Sequence, residues 1–130
     1  MSCANSSPDV SYPSWLHEAL AAVAESSFCV SAEPCERDTF LQRARAESPW
    51  LQARVRFVGG MVGEVICTVP ESLVRELTAT FAGIEAAAVD AGMIQDLVGE
   101  FCNMVCGRWL RRVSERSSFR LSPPQVTRTD

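Results

Sequence analysis

Apolar and polar residues alternate in two rhythms along this chain, and the change from one to the other marks out its elements. From Pro13 to about Ser26 the apolar positions Leu16, Ala19, Leu20 and Val23 recur at helical spacing, with Pro13 opening the helix and Ser14 as its cap. Phe28 to Ala32 alternates weakly and reads as a short strand. Glu33 to Pro49 is charged and broken by prolines, so an irregular connection or a poorly patterned strand both fit. Leu51 to Val58 alternates with period two, Gly59-Gly60 marks a turn, and Met61 to Val69 follows as a second strand, which together predict a β-hairpin. Arg54 and Arg56 face solvent together, leaving one face of that hairpin only partly apolar. Pro70 opens a helix that ends near Gly83, with Leu73, Val74, Leu77 and Phe81 as its apolar stripe. Asp90 starts a long helix running to about Val113, and Phe119 to Leu121 forms a closing strand stopped by Pro123-Pro124. The order helix, strand, hairpin, helix, helix, strand predicts a two-layer α+β domain over residues 13–130, preceded by a loose Ser/Pro/Asn-rich tail at 1–12.

The long helix carries the most informative pattern. Asp96, Glu100, Asn103 and Gly107 are spaced by four, three and four, which stacks them on one stripe. At about 100° per residue they fall within roughly 60° of one another around the axis. Met93, Ile94, Leu97, Val98, Phe101, Met104 and Val105 fill a wider arc opposite. The helix therefore buries one side and displays a carboxylate beside a carboxamide on the other, a pair able to grip a partner and orient a water. A Glu-x-x-Asn stripe alone is common on solvated helix faces, so the motif needs support from the rest of the chain. Ser14, Glu18 and Ala21 repeat its spacing faintly, with alanine where the amide would stand, so a second site there is expected to be inactive.

Composition narrows the chemistry. The 130 residues are 47% apolar and 22% charged, ordinary values for one globular domain. A net charge of −4 argues against a nucleic-acid surface. All 12 cationic side chains are arginine, so no lysine can serve as Schiff base, phosphate-loop cation or general base. The apolar runs fall far short of the ~20 residues that span a bilayer, so no membrane partner is expected. The first residues lack a basic stretch followed by an apolar one, so a cytoplasmic location is expected. The six cysteines, at positions 3, 29, 35, 67, 102 and 106, match no zinc spacing, and His17 is the single histidine. Cys102 and Cys106, one turn apart and expected to flank the polar stripe, read as small buried or half-buried residues in a reducing compartment, not as a metal or redox pair. No histidine lies near them in sequence, which leaves a cysteine-dependent enzyme without a base. His17 reads as a partly exposed helix residue, and Trp15, Trp50 and Trp109 read as core or interface residues.

These residues resemble the CheX/CheC family of bacterial chemotaxis phosphatases. The family motif is an acid or serine, then Glu, Asn and Gly at this spacing, then a proline some twenty residues on. Here Asp96, Glu100, Asn103, Gly107 and Pro123-Pro124 match it. The Gly59-Gly60 hairpin with Gly63 and Glu64, the helix ending at Gly83 and the Ser-Pro-Pro segment also follow CheX-like order. With one intact motif the chain is more CheX-like than CheC-like. The resemblance implies a CheC-like fold, with long helices packed on one face of a mostly antiparallel sheet. Two further strands usually follow the double proline, so a sheet shortened at the C-terminus is expected here. The implied function is hydrolysis of the aspartyl phosphate of a CheY-type response regulator. By resemblance, Asn103 orients the attacking water and Glu100 pairs with the regulator's lysine. Asp96 and Gly107 complete the partner-binding stripe. Magnesium is supplied by the regulator, with no cofactor of the chain's own. The implied partners are a phosphorylated CheY-like receiver domain and, as a homodimer, a second copy. The alternative is a non-catalytic CheX-like binding or dimerisation module, docking to a receiver or a motor-switch protein.

Overall fold

One long strand organises the sheet. The computed structural model describes residues 12–46 and 49–129, so the expected tail lies outside the described residues up to position 11. The elements are α1 (Tyr12–Phe28), α2 (Arg37–Ala46), β1 (Trp50–Gly59), β2 (Gly63–Pro70), α3 (Glu71–Ala82), a 3-10 turn at Ala86–Ala88, α4 (Ala91–Val113), β3 (Phe119–Leu121) and β4 (Gln125–Thr129). β1 pairs antiparallel with β2 from Trp50 opposite Pro70 to Phe57 opposite Gly63. On its other edge β1 is shared. β3 pairs with Phe57–Gly59, and β4 pairs with Trp50–Arg54.

β4 was not expected, because the double proline read as the end of the sheet. The structure shows it as an interruption instead. Prolines lack the N–H a ladder needs, so the strand breaks at Ser122-Pro123-Pro124. The break is bridged by Ser122, whose backbone N–H donates to Arg56 O at 2.8 Å while its hydroxyl accepts from Arg56 N at 3.0 Å. Beyond it, β4 rejoins the same edge of β1.

Period-two alternation places Leu51, Ala53, Val55 and Phe57 on the inner face of β1, all buried. α4 lies across this face, with α3 beside it and α1 packed against α4. Arg54 and Arg56 point outward together, as the pattern predicts, and both approach Glu64 Oε1, at 3.4 and 3.7 Å. The architecture is therefore the expected α+β fold, with helices on one face of an antiparallel sheet.

Two other expectations are corrected. Phe28 to Ala32 forms no strand. Phe28 stays in α1 because its ring is buried against Phe101 (5.4 Å between centroids) and Phe81 (5.9 Å). Cys29 then leaves the helix in the left-handed region, φ 56°. Among the described residues of 33–49, neither a strand nor a wholly irregular connection is found, since Arg37–Ala46 is α-helical. Its apolar pair Phe40-Leu41 is half exposed and touches the domain through Phe40 on Trp50, 5.8 Å between rings. Among the described residues no helix is long and apolar enough to cross a membrane.

Candidate functional site

α4 is a well-defined rod. Asp90 caps its start by accepting a hydrogen bond from Met93 N at 2.9 Å, and the last turn carries Arg111 and Arg112 at the negative end of the dipole. Its small residues Gly99, Cys102 and Cys106 face the sheet and are buried, which lets the helix lie close to Ala53, Val55 and Val65. Val105 packs toward α1, which is fastened to the far end of α4. There the Trp109 indole donates to Tyr12 O at 3.0 Å, and Arg112 both pairs with Glu18 at 3.3 Å and lies over the Trp15 ring. Glu18 is thus held in an ion pair between helices, which removes the acid of the fainter repeat from any second site.

With two sides of α4 covered, the stripe is what remains open. Asp96 and Glu100 are exposed, and Asn103 and Gly107 are half-buried. No side-chain hydrogen bond or ion pair among the described residues engages Asp96, Glu100 or Asn103. The four predicted site residues are therefore together, on one face, with the carboxylates and the carboxamide free to meet a second molecule.

Gly99 and Gly107 of this helix have different roles. A Cβ at Gly107 would meet nothing nearer than Arg111 Nη1 at 4.0 Å, so the notch there is open to the outside. A Cβ at Gly99 would come within 3.1 Å of Pro124 Cγ and 3.3 Å of Pro124 Cβ. Gly99 is therefore the internal contact. It seats the double-proline segment beside the stripe, and Gln95, Asp96, Gly99, Glu100, Pro124 and Val126 together line a shallow polar cleft. Sequence reasoning missed Gly99. A glycine inside an otherwise strong helix costs about 1 kcal/mol relative to alanine, and that penalty was the available clue to a close approach.

The cysteines beside the stripe are buried, as the small-residue reading expects. Cys102 and Cys106 are fully buried against the sheet, with Cys102 Sγ 3.5 Å from both Ala53 O and Val65 O. Hydrogen bonding with Cys102, and burial, push the Cys67 thiol well above the ordinary cysteine range. Burial, reinforced by Cys102, pushes Cys106 up to about 12. Cys67 and Cys106 thus pack as protonated apolar residues, whereas the hydrogen bond with Cys67 holds the equally buried Cys102 thiol below the ordinary range. Cys29 and Cys35 are exposed. Among the described residues no group of three or more His, Cys, Asp or Glu side chains is placed to hold a metal ion.

A two-layer α+β domain displaying an acid–amide stripe on its central helix defines the class of protein. Residues 51–130 match the sequence profile of the family described as Chemotaxis phosphatase CheX, and the chain belongs to that family. No curated protein sequence gives a significant match. Among solved structures, the chain resembles chemotaxis protein CheX from Vibrio vulnificus, at 20% identity and TM-score 0.71, over 96% of this chain and 79% of that one. CheX from Desulfovibrio desulfuricans aligns at 17% identity and TM-score 0.67, over 92% and 78%. A third structure, the complex of CheX with CheY, BeF3 and magnesium from Borrelia burgdorferi, aligns at 14% identity and TM-score 0.64, over 90% and 76%.

Proposed function

We propose that this chain hydrolyses the aspartyl phosphate of a CheY-type receiver domain, with Glu100 and Asn103 as the working pair. The observation that carries the proposal is their placement: adjacent turns of one buried-backed helix, both reachable and neither engaged within the described residues. Family membership and the CheY-bound relative support the same partner.

An aspartyl phosphate is an activated acyl phosphate, and the receiver brings its own magnesium and lysine to the phosphoryl oxygens. What remains is to place a water in line with the breaking bond, so positioning and electrostatics supply the catalysis. Asn103 suits that role because its carboxamide both donates and accepts hydrogen bonds and stays neutral across pH. Glu100, one turn away, pairs with the receiver's lysine and fixes the approach. That contact strengthens as the interface excludes water. Asp96 extends the anionic end of the stripe, and the open notch at Gly107 admits the receiver's backbone.

The chain is further proposed to work as a homodimer. β2 pairs only with β1 among the described residues, so its outer edge offers unpaired N–H and C=O groups to a second copy. Sedimentation at micromolar concentration checks this, and a monomer throughout overturns it.

The phosphatase test is direct. A receiver is loaded from a small-molecule phosphodonor and its dephosphorylation followed with and without this protein. Acceleration that falls by about 100-fold or more in Asn103→Ala, with the fold retained, is the expected result. Docking without acceleration instead supports the non-catalytic binding module.

A further inference from the structure

A stripe of three side chains and a glycine is too small to hold a protein partner. Specific protein interfaces bury about 800 Å² per side and gain their affinity from a few desolvated aromatic or apolar anchors. On the side of the stripe away from Pro124, a groove separates the C-terminal half of α3 from the first half of α4. Phe28, Phe81, Ala82, Met93 and Leu97 line it, and Asp96 and Glu100 form its outer wall. Phe81 is 48% exposed, although its ring also contacts Phe28 at 5.9 Å, which in turn contacts Phe101 at 5.4 Å. The aromatic row thus runs from the interior to an open surface beside the two carboxylates. α3 stops there because Gly83 takes the left-handed conformation, φ 69°, and Ile84 just beyond it is 39% exposed.

We propose that this groove is the affinity-determining part of the receiver-docking surface. It takes an apolar side chain from the loops bordering the receiver's phosphoaspartate. Continuity fixes the occupant: Asp96 and Glu100 belong both to the stripe and to the groove wall, so a molecule laid across the stripe covers Phe81 as well. The polar cleft on the Pro124 side offers no comparable anchor. The division of labour is then physical. The stripe reads charge and places water, and the groove supplies the desolvated contact that holds the complex. This inference rests on the receiver being the partner, but not on turnover occurring.

The test measures docking apart from turnover. In an Asn103→Ala background, where the phosphorylated receiver is expected to persist, binding of receiver loaded with acetyl phosphate is titrated by fluorescence. Phe81→Ser is expected to weaken binding about tenfold or more. Ala82→Gln, which fills the groove at an exposed helix end and avoids the risk of unfolding, is expected to do likewise. Val58→Thr, an exposed apolar site on the sheet face away from the helices, is expected to change nothing. Folded Phe81→Ser and Ala82→Gln proteins that bind as tightly as the parent overturn the groove, whatever the turnover. Weakened binding combined with no hydrolysis by the native chain sustains the groove and overturns the phosphatase reading. No detectable docking by the parent overturns both.

Discussion

On the proposed reading Glu100 and Asn103 act on different atoms of the partner, so they should separate under substitution. Asn103→Ala should lower kcat and leave receiver affinity nearly unchanged. Glu100→Lys should abolish docking, because two ammonium groups would then meet where a carboxylate and an ammonium are proposed to pair. Receiver titration of both variants distinguishes these outcomes. At the same scale the buried thiols give a prediction independent of function. A thiol reagent at pH 8 should label the exposed Cys29 and Cys35 and spare the buried Cys67, Cys102 and Cys106, which it cannot reach until the chain unfolds. Folding raises the pKa of Cys67 and of Cys106, the latter from 9.0 to about 12, so the folded state holds these protons more tightly. Their stabilisation is complete below about pH 9 and is lost as pH rises toward 12. Urea unfolding should therefore show stability declining over that window, with a shallower slope in Cys106→Ala. The stripe itself was legible from the chain, because helical spacing alone brings its four members together. The facing of Cys102 and Cys106 was not. Helical period fixes their angle to the stripe, but which flank meets the sheet is decided by where the sheet lies.

Two devices in and around α4 carry the element-scale expectations. Asp90→Ala removes the cap on Met93 N and should cost about 1 kcal/mol, seen as a lower Tm, with docking retained. Gly99→Val places branched carbons where Pro124 already sits at 3.1 Å from a Cβ position. The double-proline segment must then move off the helix, which should cost about 1–3 kcal/mol in denaturant unfolding. The hairpin, α3 and α4 were readable because alternation, turn glycines and caps agreed with one another. α2 was not, since Phe40 and Leu41 are the only large apolar residues in Arg37–Ala46 and two adjacent positions define no period. β4 was missed for a different reason. Proline ordinarily ends a strand, whereas here it ends one pairing segment and leaves the next to resume on the same neighbour. Its position against Gly99 depends on a contact between residues 25 apart, which no local pattern encodes.

For the whole molecule, charge and apolar surface should divide the docking reaction between them. Raising ionic strength from about 50 to 500 mM screens the carboxylates and should raise KM for the phosphorylated receiver several-fold with little change in kcat. A fall in kcat without a change in KM would contradict that division. The fold places the proposed working pair on its least adjustable part: a rod flanked by sheet and helix, with Gly99, Cys102 and Cys106 among the residues it buries. The separation between carboxylate and amide is thus a fixed gauge set by one helical turn. Divergence in signalling specificity among paralogous proteins built this way would leave that gauge untouched. It would be written instead into the surfaces on either side, where a substitution can change which messenger is recognised without retuning the reaction.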